Sequence, residues 1–192
     1  MDTIRAFIAI ELPAKVKAEL SRIQSSLKQS AACPAKWVAP ESIHLTLCFL
    51  GEISSDQVEA VKSVMAQTSQ EFRGFKLELA QPGVFPNPGQ TQTAWVGLQG
   101  QLDILSALHN RLEDKLRTTG YKPESRPFKP HLTIARVRDE AAPAARCDLA
   151  DAVGRLELAG HLAVDVSEMS LMKSQLSRSG AIYTCLYSAK LA

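Results

Sequence analysis

Four histidines occur in the chain, and two of them open near-identical tetrapeptides, His44-Leu45-Thr46-Leu47 and His131-Leu132-Thr133-Ile134. With nine threonines in 192 residues, chance would place Thr two positions after two of the histidines in roughly one sequence in a hundred. If each tetrapeptide is a strand, residues i and i+2 share a face. His44 then points with Thr46 and His131 with Thr133, while Leu45, Leu47, Leu132 and Ile134 point into a core. A pseudo-two-fold relation between the halves would bring the two imidazoles together across a central groove.

Such a pair suits acid–base work. Imidazole titrates near about 6.5, so at neutral pH one ring can accept a proton while the other donates one. Threonine hydroxyls can hydrogen-bond the non-bridging oxygens of a phosphate, and a nearby arginine can offset the negative charge of the transition state. In-line attack on phosphorus with a base on one side and an acid on the other needs no metal. A two-histidine metal site is the competing reading, but ligation would normally add a carboxylate or Cys close by, and neither motif carries one. His109, beside Asn110 and Arg111 on an amphipathic helix, and His161, after Gly160 at a strand edge, read as surface residues.

The elements that must position the motifs follow from periodicity. Residues 5–10 read as a strand, and Pro13 opens a helix over 14–29 with Val16, Leu20, Ile23 and Leu27 at helical spacing. A turn at 39–42 leads into a strand at 43–50, stopped by Gly51, and Ser54, Ser55 and Asp56 cap a helix over 56–70. Residues 75–79 alternate as a strand that breaks in a rigid proline- and glycine-rich loop, 82–89. Another strand covers 93–98. A helix covers 102–116, with Leu105, Leu108, Leu112 and Leu116 on one side and Gly120 closing it. After a basic loop comes the strand 131–137, then strands near 155–159, 163–173 and 181–187 with a turn at 177–180. Irregular alternation without a glycine-rich phosphate loop favours α+β with antiparallel sheets over a doubly wound fold. No linker divides the chain, so residues 1–192 read as one domain of two intertwined lobes.

Composition narrows the class. Apolar residues make up 45% and charged residues 22%, ordinary values for a globular chain. A net charge of +2 is too mild for long duplex tracking, though it suits a short anion or one end of an RNA strand. Cys33, Cys48, Cys147 and Cys185 are scattered singly, so neither a zinc knuckle nor a redox dithiol is suggested. The apolar start runs straight into Glu11, which reads as a buried strand rather than a signal segment, and no apolar run reaches membrane-spanning length. A cytoplasmic monomer with its groove inside one chain is the simplest expectation.

The paired motifs and their flanks resemble the two-histidine (2H) phosphoesterase superfamily, in its LigT-like branch of RNA 2′,3′-cyclic phosphodiesterases, also known as 2′-5′ RNA ligases. The resemblance covers nearly the whole chain. It includes Arg5-Ala6-Phe7-Ile8-Ala9-Ile10, Lys36-Trp37-Val38-Ala39-Pro40-Glu41-Ser42-Ile43 before the first motif, and Phe49-Leu50-Gly51 after it. It also includes Pro82-Gly83-Val84-Phe85-Pro86, Arg126-Pro127-Phe128-Lys129-Pro130 before the second motif, Ala135-Arg136 after it, and Leu171-Met172-Lys173-Ser174-Gln175-Leu176. It implies a bilobal α+β fold, each lobe an antiparallel sheet with helices on its outer face, and hydrolysis of a 2′,3′-cyclic phosphate to a 2′-phosphomonoester without metal or nucleotide cofactor. By the same resemblance His44 and His131 are the catalytic pair, with His44 protonating the departing 3′-oxygen and His131 activating water, although the sequence would equally allow the reverse. Thr46 and Thr133 would hold the phosphate, with Arg136 assisting.

Simple alternation disagrees with the resemblance at Arg136. Five residues after His131, it falls on the opposite face of an unbroken strand and reaches the phosphate only through a bulge, a strand end or a curled side chain. Arg117, Lys122, Arg126, Lys129, Arg136 and Arg138 lie against the single acid Glu124, either an RNA-facing patch or a solvated loop. Trp37 and Phe49 could stack an RNA base, but a strand start and core-side alternation favour packing for both. Two other activities stay open: an ATP-independent ligase running the reverse reaction, on tRNA halves for example, and an RNA-end binding module whose histidines only contact phosphate.

Overall fold

The computed structural model describes residues 3–123, 127–158, 160, 162–177 and 180–192. Strand β1 (Thr3–Glu11) leads into helix α1 (Ala14–Ser30), which Pro13 starts at the N-cap. Then come β2 (Ala35–Trp37), a short 3-10 turn at Pro40–Ser42, and β3 (His44–Ser54). Helix α2 (Ser55–Ser69) begins in a capping box. There the Ser54 hydroxyl accepts from the Gln57 N–H, and the Gln57 side chain accepts from the Ser54 N–H at 3.0 Å. Strands β4 (Phe75–Phe85) and β5 (Thr93–Gly100), helix α3 (Leu102–Arg117) and strand β6 (His131–Val137) follow. Helix α4 (Pro143–Gly154) and strands β7 (Ala163–Val166), β8 (Glu168–Ser177) and β9 (Gly180–Lys190) complete the order.

The strands form two antiparallel sheets, β3-β1-β8-β9 and β2-β6-β5-β4-β7. Helices α2 and α3 pack on the first sheet, and α1 and α4 on the second. The helix that follows β1 therefore crosses to the opposite sheet, as does the helix that follows β5. This exchange intertwines the lobes, and one contiguous apolar cluster runs through both: Ile8 and Ile10 of β1, Leu20 and Ile23 of α1, Leu105 and Leu112 of α3, Leu132 and Ile134 of β6. Strands β3 and β6 touch where the sheets meet, so both His-Leu-Thr strands reach the same junction. The observed architecture is the α+β, two-lobed arrangement expected, with the helices outside.

Several element boundaries differ from the sequence reading. Strand β3 does not stop at Gly51 but runs through it to Ser54, with Gly51 at φ 71 absorbing a local twist that an L side chain would resist. The break foreseen at 82–89 starts later, because β4 continues through Pro82 to Phe85. Strand β7 pairs only with Phe75–Glu78, so Pro82 lies where β4 has become an edge, a place that tolerates a residue without N–H. Helix α4 was not foreseen, and residues 155–158 form no strand. The single strand expected at 163–173 divides at Ser167 into β7 and β8, which join different sheets. The foreseen turn at 177–180 falls partly, and His161 and Arg126 wholly, outside the described residues. No helix among the described residues is long and apolar enough to cross a membrane.

Gly83 permits a close approach on the groove side of the second sheet. A Cβ there would sit 2.4 Å from the Trp95 indole, which lies across β4. Gly83→Ala is expected to cost about 2 kcal/mol by overpacking; an unchanged midpoint in chemical denaturation would show that the indole is free to move aside.

Candidate active site

Each motif strand alternates as expected at first. Leu45 and Leu132 are buried, while His44, Thr46, His131 and Thr133 are partly open on the other face. Alternation then breaks at the same place in both strands. Ile8 pairs with Cys48 and Ala9 with Thr46, leaving Leu47 as an extra residue in β3. Ala94 pairs with Ala135 and Trp95 with Thr133, leaving Ile134 as an extra residue in β6. Each insertion is a β-bulge, and two successive residues turn inward: Leu47 and Cys48 in one strand, Ile134 and Ala135 in the other. The residue five places after each histidine is thereby returned to the histidine's face. In β6 that residue is Arg136, and in β3 it is Phe49.

The conflict over Arg136 is thus resolved by a bulge, one of the three devices the sequence left open. Its side chain is exposed, and its charge reaches His44 of the other half. Across the β2–β6 ladder it faces Lys36. Two like charges directly opposite each other are unfavourable unless an anion lies between or above them. Phe49 departs from the packing reading: it is 48% exposed, an outward aromatic ring beside Phe7 at 6.3 Å. Trp37 follows its packing reading, partly buried against the core with the Lys28 ammonium 5.3 Å from its ring centroid. The basic segment is less uniform than its composition suggests, since Arg117 pairs with Asp114 and Arg138 with Glu140, each at 3.8 Å.

The two imidazoles are held alike. His44 Nδ1 lies 2.8 Å from the Ser42 carbonyl and His131 Nδ1 lies 2.7 Å from the Lys129 carbonyl. A carbonyl can only accept, so each Nδ1 carries the hydrogen and each Nε2 is left to exchange a proton. Aromatic rings fix the planes. His44 stacks on Phe7 at 4.6 Å and meets the edge of Tyr183 at 5.2 Å. His131 meets Phe85 at 5.1 Å and Trp95 at 6.4 Å, both edgewise. Burial pushes the His44 pKa below 6.5; its bond to Ser42 and the charge of Glu11 oppose this, while Lys17 and Arg136 add to it.

Two buried polar residues serve the bulges: Gln24, which the sequence reading does not single out, and His109, which it reads as surface. Gln24 of α1, 3% exposed, donates from Nε2 to the Ile134 carbonyl at 2.8 Å and to the Val38 carbonyl at 2.7 Å. The Val38 N–H also donates to Ile134, at 3.0 Å. His109 of α3 is not the surface residue expected. It is 8% exposed, donates from Nδ1 to the Leu47 carbonyl at 3.0 Å, and stacks on Phe128 at 4.0 Å. A buried carbonyl left without a donor costs about 1–3 kcal/mol. The signal lay in the periodicity: Gln24 is in phase with Leu20 and Leu27, and His109 with Leu105 and Leu112.

The two imidazoles with their Nε2 atoms uncommitted, the threonine two residues after each, and Arg136 make up the candidate site. Comparison with known proteins shows the family. The model of the LigT-like phosphoesterase family matches twice, over residues 10–95 and 96–183, one match for each motif. The chain belongs to that family. It is 35% identical over 181 residues to the RNA 2′,3′-cyclic phosphodiesterase of Methanothermobacter thermautotrophicus, covering 94% of this chain and 95% of the relative. The Aeropyrum pernix protein of the same name is 34% identical, over 90% of this chain and 95% of its own. Escherichia coli LigT, in its crystal structure with 3′-AMP, superposes with a TM-score of 0.78 at 25% identity, covering 100% of this chain and 99% of that one.

The downward shift of His44 has a sign that can be checked. Between its folded pKa and the unfolded value of about 6.5 the unfolded chain binds more protons, so stability falls as pH drops through that window. On going from pH 7.5 to 5.5 the wild type is expected to lose more thermal stability than His44→Gln. Equal losses would mean that His44 is no more reluctant to charge in the folded protein than in the unfolded chain.

Proposed function

We propose that this protein hydrolyses RNA 2′,3′-cyclic phosphate ends to 2′-phosphomonoesters, with His44 and His131 as the proton-transfer pair. The observation that carries this reading is the duplicated imidazole, each with Nδ1 tied to a backbone carbonyl and Nε2 free. The names of the relatives supply the substrate class. In this reading His131 takes a proton from water as it attacks phosphorus, and His44 gives its proton to the departing 3′-oxygen. Desolvation disfavours a charged His44 in the free protein, but an anionic phosphate at Nε2 favours it. His44 therefore takes up its proton as substrate binds. Thr46 and Thr133 hydrogen-bond the non-bridging oxygens, and Arg136 stabilises the charge that grows on them.

The asymmetry of the groove supports a direction for the substrate. Phe49 offers its exposed ring on the first sheet, where a terminal base can stack. Arg136 and Lys36 offer charge on the second, where phosphate belongs. The groove is built within one chain and one core, which supports a single-domain monomer. Hydrolysis is favoured over ligation because water far outnumbers a second RNA end as nucleophile, and both intact His/Thr pairs speak against a binding-only role.

The test is incubation of a 2′,3′-cyclic-phosphate oligonucleotide with the protein in EDTA, with identification of the product isomer. A 2′-phosphate is expected, and no turnover, or turnover only with added divalent metal, would contradict the reading. His44→Ala and His131→Ala should each lose about a hundredfold or more in kcat/KM. The bell-shaped pH profile of the wild type should lose one limb in each variant.

A further inference from the structure

We propose that Gln24 and His109 are the positioning residues of the two half-sites, each fixing a bulge and so setting where Arg136 and Phe49 stand in the groove. The two contacts are equivalent. Gln24 binds the carbonyl of Ile134 and His109 the carbonyl of Leu47, the inserted residues of β6 and β3. Both are buried polar groups set among leucines on the buried faces of their helices, where another leucine would fill space without donating. Each comes from the other half of the chain, because the exchanged helices place α1 under β6 and α3 under β3.

The bulge is the part of each strand with most freedom to slip. Its inserted residue has no Cα partner on the neighbouring strand. Loss of the insertion, a one-residue slip of the strand beyond it, would return Arg136 or Phe49 to the core side. A side-chain donor aimed at the carbonyl of the inserted residue holds the insertion in place. Gln24 does more: by holding the Val38 carbonyl as well, it ties the bulge to the chain leaving β2, next to Lys36. His109 has Phe128 stacked on its ring and Glu113 3.8 Å from Nε2, which fix the ring that donates.

A residue that merely fills the core would weaken the fold without regard to Arg136 or Phe49. A positioning residue acts through them, which double-variant kinetics separate. Gln24→Met, which keeps size and loses the donors, is expected to lower kcat/KM by about tenfold or more on a 2′,3′-cyclic-phosphate dinucleotide. Arg136→Ala should lower it by about a hundredfold to a thousandfold, and the double variant should be no worse than Arg136→Ala within about twofold. His109→Leu should raise KM by about tenfold with kcat little changed, adding nothing to Phe49→Ala. His109→Asn, whose amide N–H stands where Nδ1–H stands, should restore KM. Where Gln24→Met does not fold, Gln24→Asn, one methylene too short to reach, takes its place.

Losses that multiply in the double variants would overturn the proposal, as would folded single variants that turn over like the wild type or a His109→Asn no better than His109→Leu. The proposal rests on Arg136 and Phe49 acting in the site, and their single variants report on that alone. If those two turn over normally, the brace has nothing to act through and falls with the site reading. If they lose activity while the double variants multiply, only the brace falls.

Discussion

The residue inserted three places after each motif histidine is the constraint on which the groove depends. A strand has only two faces, and β3 and β6 must each give one to the core and one to the site. Strict alternation would deliver His and Thr to the site but send the residue five places on into the apolar cluster. The insertions at Leu47 and Ile134 remove that conflict, burying two successive side chains and turning Phe49 and Arg136 outward. The geometry appears twice because the fold does. The helix exchange then makes the halves inseparable, since each bulge is held by a helix belonging to the other half.

The duplication is geometric, and the chemistry laid on it is not symmetric. Both imidazoles present Nε2 and keep Nδ1 on a carbonyl, but His44 lies against Phe7 and Tyr183 while His131 meets Phe85 and Trp95 edgewise. At the equivalent fifth position one half carries a ring and the other a guanidinium. A symmetric site could bind a phosphate but would have no reason to bind the rest of a nucleotide in one direction. In the proposed reading the aromatic side and the cationic side supply that reason, with the charge of Arg136 acting on His44 of the other half.

Much of this was legible in the sequence, and the failures have physical causes. Strands β1, β3, β5 and β6, the first three helices and the two motifs follow from spacing, because apolar stripes on helices and His-x-Thr on strands are strong periodic signals. Helix α4 escaped because alanines make much of its buried face, Ala150 and Ala152 beside Leu149 and Val153, and alanine carries little periodic contrast. The fate of Phe49 and Arg136 turned on a bulge, which no alternation pattern announces. His109 reads as surface by residue type, although its phase with Leu105 and Leu112 places it inside. The division of residues 163–173 between two sheets depends on tertiary pairing that local pattern does not contain.

In the proposed mechanism the two imidazoles do different work, one taking a proton from water and the other supplying one to the leaving oxygen. The most direct test replaces the leaving group. A 3′-deoxynucleoside 2′-phosphate esterified with p-nitrophenol has no neighbouring hydroxyl to cyclise, so water must attack phosphorus, and its phenolate departs without a proton. On that substrate His44→Ala should recover most of the wild-type rate while His131→Ala stays nearly inactive. Equal losses in the two variants, or recovery in His131→Ala instead, would contradict the assignment.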